Sequence, residues 1–185
     1  MAASPTDGQL VREACRGARP AFDELIRRYQ KQAVAVSYRL LGNTNDALEV
    51  TQDAFLKAFV SLKTLEQPEA FRGWLMRIVS NLSLNYRRSR KTRSQLPLDD
   101  ILGPEEGASS QPDPMQRVAG QELGAKLQEA LSQLPEKQRA ALVLFTIEQL
   151  PQKEVAETLK CSVEAVKWHV FQGRKKLKEL LKDYM

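Results

Sequence analysis

The sequence predicts an all-α protein built as two small helical domains joined by a flexible linker. Three observations carry this. Apolar residues recur three and four apart through residues 10–93 and again beyond residue 116, no run of β-branched residues alternates with polar ones, and residues 96–114 (LPLDDILGPEEGASSQPDP) break the period with Pro, Gly, Ser and acids. The first pattern is that of amphipathic helices, the second leaves strands unsupported, and the third is the composition of a solvated linker.

In the first domain, residues 1–93, the stripe runs through Phe22, Leu25, Ile26 and Tyr29, then Val50, Phe55, Phe59 and Leu62, then Phe71, Trp74, Leu75, Ile78, Val79 and Leu82. Breaks at 17–20, 41–45 and 64–68 supply turn and cap residues, dividing the segment into about four helices. The linker is residues 94–115. In the second domain, residues 116–185, the period continues through Leu123, Leu127, Ala130, Leu131 and Leu134 and restarts with Ala140, Leu142, Val143, Leu144 and Ile147. Pro135 and Pro151 mark helix starts, because proline is tolerated in a first turn and disfavoured inside a helix.

At 185 residues the chain suits two small domains, and 28% charged residues with a net charge of +5 make a polyanionic partner plausible. The longest purely apolar run, residues 140–145, falls far short of the roughly 20 residues needed to span a bilayer. The first eight residues offer neither a basic nor an apolar signal region, so a cytoplasmic protein with no membrane insertion is expected. Cys15, Cys161 and His169 are the only soft ligands, too few and too scattered for a structural zinc site, and each cysteine reads as a small hydrophobe. No Gly-rich phosphate loop and no nucleophile with a base is visible. The expectation is therefore no enzyme: no catalytic residue, metal, cofactor or small-molecule substrate.

Residues 150–181 carry a helix-turn-helix. A short helix over 152–159, a tight turn at Lys160, Cys161 and Ser162, and a longer helix from Val163 to about Leu181 have the required spacing. Val155, Ala156 and Leu159 would bury against Val163, Val166 and Val170, with Ser162 as N-cap and Glu164 at the positive helix end. With the valines inward, Glu164, Ala165, Lys167, Trp168, Phe171, Arg174 and Lys175 face outward toward a major groove and its phosphates. The competing reading is a solvated basic face on a plain helical hairpin. Trp168 either packs on the preceding helices or lies on the DNA side, and His169 contacts phosphate or packs, with packing favoured.

A second cationic helix spans 71–91. Between positions 72 and 93 stand Arg72, Arg77, Arg87, Arg88, Arg90, Lys91 and Arg93 and not one acid. Its apolar stripe (Phe71, Trp74, Leu75, Ile78, Val79, Leu82) is expected opposite Arg77, Asn81, Asn85 and Arg88. Arginine donates two bonds to phosphate or guanine and asparagine reads adenine or an unpaired base edge, so this face suits DNA. A core helix with a solvated basic face is the alternative.

Together these residues resemble a bacterial extracytoplasmic-function (ECF) RNA polymerase sigma factor over nearly the whole chain. AFDELIRRY (21–29) is similar to the family's opening helix, DALEVTQDAFLKAF (46–59) to its polymerase-binding helix, FRGWLMRIVSN (71–81) to its promoter-melting helix, and LPEKQR (134–139) to the signature before its helix-turn-helix. The resemblance implies that Glu49, Gln52 and Asp53 bind the clamp helices of the polymerase β′ subunit and that the second domain meets the β flap. It implies that the loop over 63–70, with Arg77, Asn81 and Asn85, captures an unpaired minus-ten base, and that the helix-turn-helix reads the minus-thirty-five element as duplex. It further implies that residues 93–113 thread toward the polymerase active-site channel, with Asp99, Asp100, Glu105 and Glu106 mimicking nucleic-acid charge, and that an anti-sigma partner restrains the protein. Departures fall at Lys160, where the family often has Gly, at His169 and Gln172, often Arg, at Asn85, often Asp, and at Leu48, often Glu. The alternative function is a helix-turn-helix activator that binds a duplex operator, which leaves the second cationic helix unexplained.

Overall fold

The structure, a computed structural model, describes residues 4–93 and 114–182, with side chains described for 4–90 and 123–182. In chain order the elements are α1 (Asp7–Cys15), α2 (Arg19–Leu41), α3 (Thr44–Ser61), 3-10 turns at Leu62–Thr64 and Pro68–Ala70, and α4 (Phe71–Arg93). Then follow α5 (Pro114–Ser132), α6 (Glu136–Ala141) with a π-helical continuation (Leu142–Ile147), α7 (Gln152–Leu159) and α8 (Val163–Leu180). The fold is all-α, with no strand among the described residues. Two compact units form, one chiefly residues 1–90 and the other chiefly 91–185. Of the expected linker only Pro114 and Met115 are described, in the first turn of α5, and Asp99, Asp100, Glu105 and Glu106 lie outside the described residues.

The first unit begins at a capping box. Thr6 Oγ1 accepts from Gln9 N at 3.3 Å while Gln9 Oε1 accepts from Thr6 N at 2.8 Å, closing two of the open donors at the start of α1. Asp7 then anchors α1 on α2, accepting from Arg28 Nη1 at 2.9 Å and from the Tyr29 hydroxyl. Gly42, at φ 80°, adopts the left-handed backbone that ends α2. The interior is filled by Leu25, Val36, Val50, Phe71, Leu75 and Met76, none more than 2% exposed, and each such burial stabilises by about 1.5–3 kcal/mol. Three buried hydroxyls from different helices meet inside this apolar set: Ser37 Oγ is 3.2 Å from Thr51 Oγ1 and 3.4 Å from Ser83 Oγ. Each of these helices therefore has a fixed register, since a rotated hydroxyl would lose its partners.

The second unit is built around residues 136–147. Five consecutive residues, 140–144, are buried, and a helix apolar on every side is one surrounded by others. The sequence reading continues this helix as an ordinary α-helix through Ile147. Instead the turn widens after Ala141, with Glu148 N bonding Val143 O at 2.9 Å and Leu150 N bonding Leu144 O at 3.0 Å. Gln149, at φ 56°, closes the end, and Pro151 stands just before α7 as its N-cap. Leu123, expected in the core, is 56% exposed; the buried side chains described on α5 are Gln128, Ala130 and Leu131.

Candidate nucleic-acid interface

Helices α7 and α8 form the helix-turn-helix. Lys160 takes a left-handed conformation (φ 50°, ψ 56°), so that Cys161 N bonds Ala156 O at 3.0 Å and the chain reverses within three residues. Ser162 Oγ accepts from Ala165 N at 3.1 Å, the N-cap expected of it. Val155, Ala156, Leu159, Val166 and Val170 are buried between the two helices, and Val163, at the edge, is half-buried. Gly173 supplies close approach: a Cβ there would lie 2.8 Å from Leu142 Cδ1 and 3.4 Å from the Gln138 carbonyl oxygen.

With that face inward, Ser162, Glu164, Lys167, Trp168, Phe171, Arg174 and Lys175 are exposed on α8, while Ala165 is half-buried. Trp168 is 53% exposed, which decides between its two readings in favour of the outer face. Its ring meets the next residue, His169, edge-on at 5.1 Å. His169 packs: its Nδ1 is buried without a partner among the described residues, and burial, helped by Lys137, holds its pKa below the ordinary value. Arg174 Nη2 donates to Thr146 Oγ1 at 3.2 Å, fixing the guanidinium against the π-helical segment.

Helix α4 carries the second cationic face, with one correction. Its buried residues are Phe71, Leu75, Met76, Val79, Ser80, Ser83 and Leu84. At about 100° per residue this inward arc places Trp74 on the opposite side, together with Arg77, Asn81, Asn85 and Arg88. Trp74 is half-buried, touching Phe71 at 6.0 Å between centroids, and so belongs to the outward face rather than to the stripe across from it. Asn85 and Arg88 are exposed and Arg77 and Asn81 are half-buried. The run of cations is also partly engaged within the unit. Arg87 Nη1 donates to the Leu40 carbonyl oxygen at 3.2 Å, at the negative end of α2, and Arg90 pairs with Asp46 in the first turn of α3.

On α3, Glu49, Gln52 and Asp53 are exposed on one surface. Leu48, Leu56 and Val60 are exposed beside them, and Phe59, expected in the core, is 49% exposed, its ring 5.0 Å from that of Phe22. A groove of about 820 Å³ runs there between α2 and α3, lined mainly by Phe22, Ile26, Val34, Phe55, Leu56 and Phe59. The signal was present in the sequence: 46–60 holds more apolar residues than one helical face can bury.

Comparison with known proteins fits this geometry. Residues 25–93 match the family Sigma-70 region 2 and residues 124–177 match Sigma-70, region 4. A region 2 unit followed by a region 4 unit is the arrangement of a sigma factor, a class of transcription initiation factor. The chain belongs to the ECF RNA polymerase sigma factor family. It is 39% identical over 168 residues to the ECF sigma factor SigE of Mycolicibacterium smegmatis, covering 90% of this chain and 63% of that protein. It is 30% identical to the RNA polymerase sigma-H factor of Pseudomonas aeruginosa, covering 100% of this chain and 98% of that one. Among solved structures it is similar to CnrH in complex with the cytosolic domain of CnrY, with a TM-score of 0.66 and 28% identity over 96% of this chain and 97% of that one. RpoE of Bartonella quintana, solved with the anti-sigma factor NepR, shares the fold at a TM-score of 0.62 and 22% identity, covering 87% and 96%. Among the described residues no helix is long and apolar enough to cross a membrane.

Proposed function

We propose that this chain binds core RNA polymerase and directs initiation at specific promoters, by reading a minus-thirty-five duplex through α8 and capturing minus-ten bases through α4. The observation that carries the reading is the pair of outward basic faces on two separate units, α4 with Trp74, Arg77, Asn81, Asn85 and Arg88 and α8 with Lys167, Arg174 and Lys175. A single-operator activator has use for only the second. Extruding a base costs a few kcal/mol, which stacking and phosphate contacts around α4 must offset.

In this reading residues 1–93 are the polymerase-binding and melting domain, 94–115 the linker and 116–185 the minus-thirty-five domain. Glu49, Gln52 and Asp53 meet the basic surface of the β′ clamp helices, and the second domain meets the β flap. At the start of α8, Ser162 and Glu164 sit where the helix enters the groove, with Trp168 and Phe171 further along. The protein works in the cytoplasm, without catalysis of its own, and an anti-sigma partner masks the polymerase-binding surface, in keeping with the CnrH–CnrY pairing of a similar protein. The apolar groove between α2 and α3 suits an amphipathic helix of such a partner.

Run-off transcription with purified core polymerase tests the proposal. Core enzyme plus this chain is expected to initiate at defined genomic sites where core enzyme alone does not. If the chain leaves core enzyme silent on every promoter yet footprints a duplex operator by itself, the activator reading replaces this one.

A further inference from the structure

The loop that leads into α4 is held from outside the core. Between Leu62 and Phe71, both buried, no side chain of residues 63–70 is buried, so apolar packing does not fix the path of this segment. Helix α1 lies against both of its 3-10 turns. That helix is itself tied down, by buried Leu10 and Val11 and by Asp7, which accepts from Arg28 and Tyr29 of α2. The contact has two parts that meet at one carboxyl group. Arg12 Nη1 donates to Glu69 Oε1 at 2.8 Å, and the same group lies over Gly8, where a Cβ would stand 2.5 Å from that oxygen and 2.9 Å from Glu69 Cδ. Only a residue without a side chain leaves the carboxylate this place. The Arg12 guanidinium, and after it Glu69's own backbone N–H, holds the carboxyl below its ordinary pKa, which keeps it ionised for the pair.

Resting on the reading of α4 and the loop before it as the minus-ten capture site, we propose that Arg12 and Gly8 are positioning residues for base discrimination. They seat Glu69, and through it the Pro68–Ala70 turn, in the shape that receives an unpaired base, and neither contacts DNA itself. An exposed ion pair contributes little to folding. Its use here is to remove alternatives from a loop that the core leaves free, so that capturing a base does not first have to order the loop.

The test uses holoenzyme assembled from core polymerase and the full chain. The probes are fork-junction DNAs of a promoter mapped by run-off transcription, with the minus-ten nontemplate strand unpaired and carrying either the mapped bases or one substitution at a time. Parent holoenzyme is expected to prefer the mapped base at each captured position. Arg12→Ala and Gly8→Ala should each narrow that preference by about threefold, the scale of an exposed ion pair, and leave the salt dependence of binding unchanged. Arg12→Lys, which keeps the cation, should recover part of the preference. The double variant Arg12→Ala, Glu69→Ala should lose no more than Arg12→Ala alone, because one residue acts through the other. Gly8→Ala should unfold in urea no earlier than the parent, since alanine favours the helix and only the flexible end of Glu69 has to move, which separates positioning from folding. Undiminished preference in both Arg12→Ala and Gly8→Ala overturns the proposal. So does additive loss in the double variant, or a log–log salt slope lowered by roughly 0.7 in Arg12→Ala, which makes the guanidinium a phosphate contact on the single strand. The underlying reading fails separately: if parent holoenzyme binds every substituted fork as tightly as the mapped one, the loop and α4 capture no base.

Discussion

The Tyr86 hydroxyl of α4 reaches across to α3, donating to Asp46 Oδ1 at 3.0 Å with Glu49 Oε2 at 3.2 Å. Arg90, one turn further along α4, pairs with the same Asp46. The helix proposed to capture promoter bases is thereby fastened to the helix proposed to meet polymerase, and Glu49 belongs to both the fastening and the proposed polymerase surface.

Removing that fastening should show in stability and in its alkaline limit. Tyr86→Phe is expected to cost about 0.5–1 kcal/mol, the net worth of a partly exposed hydrogen bond. Burial first, and the bond to Asp46 second, push the Tyr86 pKa up to about 12, and burial with Asp7 does the same for Tyr29. The unfolded chain ionises its phenols near pH 10, while the folded chain keeps these two protonated. Their contribution is therefore complete below about pH 10 and lost as pH rises toward 12. Urea unfolding across that window should show a shallower alkaline loss for Tyr86→Phe than for the parent; identical slopes would remove Tyr86 from this account.

Arg174 combines a charge with a bond to Thr146, and two substitutions separate them. Arg174→Ala should lower the salt dependence of duplex binding by roughly 0.9 in log–log slope if one phosphate contact is lost. Thr146→Val removes the bond but keeps the cation, so it should weaken binding while leaving the slope unchanged. A slope that stays put in Arg174→Ala means that its guanidinium serves only the internal bond.

Two side-chain-bearing residues, Gln149 and Lys160, hold left-handed conformations at the two ends of the α7 segment. An L-residue pays about 1 kcal/mol or more for that backbone, and glycine does not. Gln149→Gly and Lys160→Gly should each stabilise the protein by about 1 kcal/mol in thermal or urea unfolding, against the usual expectation for inserting glycine. A loss of stability in both would show that their side chains make compensating contacts.

Gly173 gives the opposite sign. Helix propensity alone favours Gly173→Ala by about 1 kcal/mol. The new methyl would sit 2.8 Å from Leu142 Cδ1 and 3.1 Å from Cγ, and Leu142 is only 3% exposed, with little room to move. Overpacking costs about 1–3 kcal/mol, so the net change should be a destabilisation of about 1 kcal/mol. A companion Leu142→Ala should make the added methyl tolerable, and unfolding of the single and double variants, taken as a cycle, reads the coupling.

Much of this molecule was legible in its residues because the governing interactions are local. The Ser162 cap, the proline-marked helix starts, and the valines between α7 and α8 depend on neighbours within a few positions, and the structure places them as expected. Family motifs in order added the class, and the comparisons agree with it.

Other features depended on which element covers which face. Helical period assigns Phe59 and Trp74 to an apolar stripe, but only packing decides whether a neighbour covers it: Phe59 borders an open groove and Trp74 turns outward. Charge counting found the cations of α4, yet Arg87 caps α2 and Arg90 pairs with Asp46, contacts made across 47 and 44 residues of chain. The widened turn after Ala141 and the left-handed backbone at Gln149 arise where a fully surrounded helix must end against α7. Local chemistry thus set the helices, their caps and the family, while the exposed side of each helix and the engagement of each charge were decided only when distant segments packed together.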